Sequence, residues 1–376
     1  MENEPLLMLP GPVPIPMTVR AAMTRQAINH RGNEFGRIYA ECTRMLRPLF
    51  GTKNEIFVLS GSGTAAMEAA VANFGEGRAI ASLVNGKFGE RLYRIAKRYG
   101  NAREIGSEWG EPLDIAGLER SLEEGTEVVT LVHNETSAGI RNPAEEVGRL
   151  TSKYGALLIM DGITSIGGDL VEADRWHVDV AFVGSQKCLA APAGLSAISV
   201  SPRAWKMLCE DRPYYLDLDA YRKSASKNPM ETPYTPAVPL FLALHEALIV
   251  IEKEGLTQRI ERHRRLARAV RAATEAWGLA LYPKIDGLHE YSNTVTAIEI
   301  PERVKDKDLR GMVKKLGIEI AGGQDRLKER IFRIGHMGAV GAPEMLSTLS
   351  AVEFSLRRAG FGVKGNGVQA ACEMLV

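Results

Sequence analysis

Cysteine is scarce. The four cysteines of this 376-residue chain, Cys42, Cys188, Cys209 and Cys372, lie far apart, form no C-x-x-C pair and make no metal-ligand spacing with the seven histidines. Neither a disulfide scaffold nor a structural metal is expected, and cysteine use of this kind suits a reducing compartment. An excess of either charge is also missing: 47 Lys and Arg stand against 46 Asp and Glu, a formal net charge of +1. That balance gives no electrostatic basis for nucleic-acid binding. The densest basic stretch, RIERHRRLAR (259–268), is interleaved with apolar residues at helical spacing and reads as a solvated helix face. Long hydrophobic runs are absent too, none approaching the roughly 20 residues that span a bilayer. The N-terminus, MENEPLLMLPGPVPIP, carries acids where a signal peptide needs a basic flank. A cytoplasmic protein with no membrane partner is expected.

What is present is ordinary globular composition, 45% hydrophobic and 25% charged, in a chain too long for one core. MLPGPVPIP is too proline-rich for a helix or a central strand, so residues 1–16 read as an extended arm leading to a first helix near Met17. Six short apolar runs follow, separated by turn signals and helical patterns: 55–60, 78–84, 127–133, 156–161, 179–185 and 195–201. Runs apolar on both faces and alternating with helices predict an α/β fold, a mostly parallel mixed sheet covered by helices. From residue 239 the pattern changes to long helix, broken near Gly255. The sequence then turns to mixed strand and helix, ending in a helix over 342–360. The expected division is a large domain over 17–253 and a smaller α+β domain over 254–376.

Ligands in open parallel sheets gather at the carboxyl ends of the strands, so the residues there carry the chemistry. The first run leads into GSGTAAMEAAVANF (61–74), a glycine-rich turn opening a helix whose free N–H groups suit a phosphate. It lacks the third glycine of a dinucleotide fingerprint, which counts against a nicotinamide site. A later run ends in Asp161, and a carboxylate after five apolar residues is costly unless it meets a cation. Another ends at Lys187, followed at once by small and apolar residues. One strand-end acid, one lysine and one phosphate cradle have a single economical explanation in pyridoxal 5′-phosphate. The lysine bonds the aldehyde, the acid pairs with the pyridinium nitrogen, and the helix N-terminus holds the phosphate. Partial burial of Lys187 favours the deprotonated amine that this chemistry requires.

The motifs SGSGTAAMEAAVANF, NGKFGER, HNETSAG, LLIMDGITSIGG, GSQKCLAAPAG and FRIGHMG, in this order and over nearly the whole chain, resemble those of class V aminotransferases. The similarity is greatest to the serine–pyruvate and alanine–glyoxylate branch of these fold type I enzymes. The resemblance implies that Ser62, Gly63 and Thr64 bind the phosphate with help from Gln186. It implies further that Phe88 stacks on the pyridine ring, Thr136 lies near the ring hydroxyl, and Arg333 forks the substrate α-carboxylate. ETPYTPAV (231–238) matches a segment that reaches the other subunit's phosphate, which nominates Thr232 and Thr235 and implies a homodimer with shared active sites.

The implied reaction moves the amino group of a small amino acid, such as serine, alanine or aspartate, to a 2-oxo acid such as pyruvate or glyoxylate. Relatives often have tryptophan at the Phe88 position and histidine at the Thr64 position, which leaves the substrate open. Two alternatives are a lyase related to the cysteine desulfurases and a non-enzymatic regulatory protein of the same fold. Gln186 stands where desulfurases have histidine, 322–335 contains no nucleophilic cysteine, and a regulatory member would have lost the lysine. His133 reads as a hydrogen-bonded structural residue and Cys188 as packing, while His336 is open between substrate contact and plain surface.

Overall fold

The structure is a computed structural model that describes residues 4–376. Its larger sheet has seven strands, in the spatial order Glu55–Ser60, Leu195–Val200, Val180–Gly184, Leu157–Asp161, Val128–Val132, Ala79–Val84 and Asn101–Gly106. Leu195–Val200 runs antiparallel to both of its neighbours, and the other pairings are parallel. The fold is thus the mixed, mostly parallel α/β sheet that the sequence predicts. Every residue of Val128–Val132, Leu157–Asp161 and Val180–Gly184 is buried, because helices cover both faces and leave no side for polar residues.

One face packs on a core that includes Phe35, Tyr39 and Phe241, whose ring centroids stand 5.2–6.1 Å apart. The other packs on Met67, Phe74, Leu92 and Phe182. The edge strand Asn101–Gly106 was not among the six apolar runs. It has one covered neighbour, and its side chains are exposed or half-buried.

The smaller sheet has the order Leu6–Met8, Ile318–Gly322, Ile331–Gly335 and Val295–Glu299. The expected arm begins outside the described residues, at 1–3, and is not extended coil throughout: Leu6–Met8 pairs in parallel with Ile318–Ile320 before the prolines begin. Helices Val238–Glu254 and Leu256–Trp277 meet at Gly255, where the break was expected. Behind the smaller sheet, Trp277, Phe332, Met345 and Leu349 form its core.

Two expectations need correction. Helix Ala342–Arg358 is not the last, since Gly367–Leu375 follows and packs on Trp277. The basic stretch 259–268 is not a uniformly solvated face. Arg259 is 2% exposed and donates to the carbonyls of Gly167 and Cys188, so one cation of that stretch ties the helix to the Lys187 loop.

Candidate active site

The carboxyl ends of five parallel-sheet strands converge on one region. Glu55–Ser60 delivers the turn 61–62 and the helix Gly63–Phe74. That helix has no acid in its first turn, and its N-cap, Ser62, is exposed with no side-chain capping bond. The Ala65 N–H bonds back to the Ser62 carbonyl at 2.8 Å, while the dipole and the N–H groups before it have no side-chain compensation, as an anion-binding helix end requires. Thr64 sits in the same turn and accepts a 3.3 Å hydrogen bond from Arg91.

Asp161 ends its strand 3% exposed. Its Oδ1 accepts from the Ile163 N–H at 2.7 Å. Burial dominates and pushes its pKa up to about 7, with a further rise from the charge of Glu135 opposed by Arg91 and Lys187. A buried carboxylate raised in this way gains from a cationic partner, as a protonated ring nitrogen would be.

Lys187 lies beyond strand Val180–Gly184, partly buried. Its Nζ donates to the Pro10 carbonyl at 2.6 Å, and burial lowers its pKa to about 8. The proline-rich arm crosses this lysine at Gly11, where any Cβ would lie 2.5 Å from Nζ and Cδ and φ is +113°. Only glycine satisfies both conditions. Beside the lysine, the Gln186 side-chain oxygen is buried without a partner.

Phe88 opens helix Lys87–Tyr99 with its ring half-buried, and the Arg91 guanidinium lies 4.9 Å from the ring centroid. Thr136 is buried, its hydroxyl paired with that of Thr164 at 2.7 Å.

Arg333 is interior to strand Ile331–Gly335, 5% exposed, and burial lowers its pKa to about 10. Nε and Nη2 donate to the Gly322 carbonyl, and Nη1 donates to that of Thr136. A guanidinium has five N–H bonds. Two remain, one on each Nη, available to a carboxylate. The Thr136 contact also joins the small-sheet arginine to the segment that follows the large-sheet strand Val128–Val132.

Other nominated residues stand differently. Thr232 is 4% exposed and donates to the Tyr234 carbonyl of its own chain at 2.7 Å, while Thr235 is exposed. Their segment adjoins the cradle strand, for the Ala237 N–H donates to Ser60 Oγ at 3.1 Å. His133 pairs with Ser165 at 3.0 Å, stacks edge-on against Trp176 and has its pKa lowered to about 4 by burial. His336 is not a surface residue: fully buried, it pairs with Thr296 at 3.0 Å. The Cys188 thiol is buried, donates to the Thr164 carbonyl and is pushed up to about 12, the state of an inert packing residue.

Two site residues were missed. Arg91 closes the motif NGKFGER and faces both Phe88 and Thr64. Glu135 lies fully buried next to Thr136. The signal for Glu135 was available, since it is a strand-end acid by the same argument that singled out Asp161.

An anion cradle, a strand-end acid, a lysine of lowered pKa and an aromatic ring fit a phosphorylated, cationic aromatic aldehyde. Among the described residues no three His, Cys, Asp or Glu side chains group as metal ligands.

Comparison with known proteins gives the same direction. The family model for class V aminotransferases matches residues 17–340. The chain is 43% identical to an uncharacterized aminotransferase of Methanocaldococcus jannaschii, over 99% of this chain and 97% of that one. It is 40% identical to a Synechococcus chain named as the small subunit of a soluble hydrogenase, over 100% and 99%. Identity to the serine–glyoxylate aminotransferase of Arabidopsis thaliana is 33%, over 98% and 94%. The solved ureidoglycine–glyoxylate aminotransferase of Bacillus subtilis superposes with a TM-score of 0.93 at 31% identity, covering 100% of this chain and 98% of that one.

Proposed function

Because the chain belongs to the class V aminotransferases, we propose that it binds pyridoxal 5′-phosphate at Lys187 and moves amino groups from a small amino acid to a 2-oxo acid. The single observation that carries this reading is the coincidence of the partly buried Lys187 and the buried Asp161, with pKa values moved toward each other, beside the uncapped helix Gly63–Phe74. When bound, the cofactor supplies an aldehyde that exchanges between amines and a protonated ring that withdraws electrons from the substrate's Cα.

The chain's own groups divide the remaining work. Ser62, Gly63, Thr64 and Gln186 hold the phosphate, Phe88 lies against the ring, and Thr136 lies near its hydroxyl. Asp161 keeps the ring nitrogen protonated. Lys187, lowered to about 8, is partly free amine near neutral pH and serves as the base that takes and returns the Cα proton. Arg333 spends its two remaining N–H bonds on the α-carboxylate, which fixes Cα within reach of Lys187.

Serine, alanine or aspartate as donor and glyoxylate or pyruvate as acceptor fit this site. The serine–glyoxylate and ureidoglycine–glyoxylate names of the relatives support a glyoxylate acceptor. The active unit is a homodimer in which Thr232 and Thr235 approach the partner's phosphate. Unpaired cysteines suit a reducing cytoplasm, and no helix among the described residues is long and apolar enough to cross a membrane.

Half-reactions test the proposal. Each amino acid alone should bleach the purified protein's visible cofactor band, and adding glyoxylate or pyruvate should restore it, with parallel-line kinetics at steady state. Bleaching with release of ammonia or sulfide and no restoration would instead mean a lyase.

A further inference from the structure

The mechanism leaves the buried carboxylate nearest the Phe88 helix without a task. Glu135 has 0% exposure, and its four contacts are all with donors. Oε2 accepts from the N–H groups of Phe88 at 3.0 Å and Gly89 at 2.9 Å, while Oε1 accepts from the Ser137 N–H at 3.1 Å and its hydroxyl at 2.6 Å. The Ser137 hydroxyl in turn accepts from the Lys87 N–H at 2.9 Å. Three successive N–H groups at the start of the 13-residue helix Lys87–Tyr99 are thus held from the strand-end segment 135–137. Gly86 is part of the same device, since a Cβ there would lie 2.3 Å from the Glu135 Cγ.

Four donors facing one side chain select the carboxylate. An amide or a protonated carboxyl brings a donor of its own against at least one of them. Burial raises the pKa of Glu135 above its ordinary value, and the hydrogen bonds from Ser137, Gly89 and Phe88 oppose that rise. The positive end of the helix also favours the anion. An ion held this way is a costly thing to bury for packing alone.

Phe88 is the second residue of that helix, so its Cα position and ring direction follow from the N–H groups that Glu135 grips. We propose that Glu135 is a positioning residue for the cofactor: its carboxylate fixes the start of helix Lys87–Tyr99 so that Phe88 meets the cofactor ring face to face. The proposal rests on the reading of this site as a pyridoxal phosphate site. It adds a requirement that the cofactor contacts themselves do not contain. Glu135 touches neither substrate nor reacting atoms in this account. It acts through Phe88.

The test is cofactor binding to the apoprotein rather than turnover. Pyridoxal 5′-phosphate is titrated into wild type, Glu135→Gln, Phe88→Leu and the double variant, following the visible band and its induced circular dichroism. Loss of a hydrogen bond from a buried charge predicts a dissociation constant about ten- to a hundredfold higher in Glu135→Gln, with the induced dichroism reduced by about half or more. In the Phe88→Leu background the same change should cost less than about threefold, because the ring it positions is gone.

Equal losses in both backgrounds, or a Glu135→Gln constant within twofold of wild type, would overturn the proposal. If Glu135→Gln does not fold, Ser137→Ala removes one donor and must weaken binding in the same direction, and unchanged binding there overturns it as well. Failure of wild type to bind the cofactor at all would instead strike the functional reading on which the proposal rests.

Discussion

Replacing Asp161 by asparagine should separate stability from function, with signs that depend on pH. The carboxyl's pKa rises from 3.8 to about 7 in the cofactor-free fold, chiefly through burial. Between those values the folded chain holds a proton that the unfolded chain releases, so this group's contribution falls as pH rises through that window. At pH 8 the ionised, buried Asp161 costs up to about 4 kcal/mol, from roughly three pH units at 1.36 kcal/mol each. Asparagine keeps the acceptor for the Ile163 N–H but brings amide hydrogens without partners, a penalty of about 1–3 kcal/mol at every pH.

The apoprotein of Asp161→Asn should therefore be less stable than wild type near pH 4, where both side chains are neutral. By pH 8 it should be more stable, by about 1–3 kcal/mol. Urea denaturation of both apoproteins at pH 4, 5, 6, 7 and 8 measures the difference, in which titrations common to the two cancel. Turnover should move the other way and fall by several tenfold steps, because a neutral amide cannot keep the ring nitrogen protonated. A stability difference that is flat with pH would refute the assignment of Asp161 as a buried acid awaiting a cation, and wild-type turnover would refute its role.

Lys187→Met should abolish turnover. It should also stabilise the apoprotein at pH 7 by up to about 3 kcal/mol, a ceiling reduced by solvent screening. The pKa of Lys187 is lowered to about 8, so the cost in wild type is present below that value and is relieved as pH rises toward 10.5. Denaturation at pH 7 and pH 10 checks the sign. Arg333→Lys should weaken binding of every α-amino acid and 2-oxo acid together, about a hundredfold in kcat/KM, because the planar fork is lost while the charge stays. A loss confined to aspartate would mean that Arg333 reads a side-chain carboxylate. Light scattering should give a dimer, and Thr235→Val should raise the cofactor dissociation constant without changing that mass. A fully active monomer would contradict the shared site.

The elements legible in the sequence were those in which burial and composition coincide. Val128–Val132, Leu157–Asp161 and Val180–Gly184 are buried on both faces and therefore read as uninterrupted apolar runs. Asn101–Gly106 was lost because an edge strand with polar, exposed residues owes its existence to its neighbour rather than to its own pattern. Leu6–Met8 was lost for a related reason, since its partner Ile318–Ile320 lies over 300 residues away and only the prolines nearby spoke locally.

At the candidate site, Lys187 and Asp161 were nominated because a charge ending an apolar run is conspicuous. Arg333 sits inside a strand pattern, and only the resemblance to a family marked it. Glu135 and Arg91 were missed because their partners are the Phe88 and Gly89 main-chain N–H groups and the Thr64 hydroxyl. Periodicity does not reveal contacts to main chain brought close by folding.

The proposed linkage of the cofactor to Lys187 is the most direct point of test. Borohydride reduction of the holoprotein, followed by proteolysis and mass spectrometry, reads which amine carries the cofactor. The expected result is one modified peptide, bearing the mass of a reduced pyridoxyl phosphate on Lys187, and its disappearance when an amino donor is added before the reductant. Modification at another lysine, or at Lys187 in equal amount with the donor present, would contradict the account.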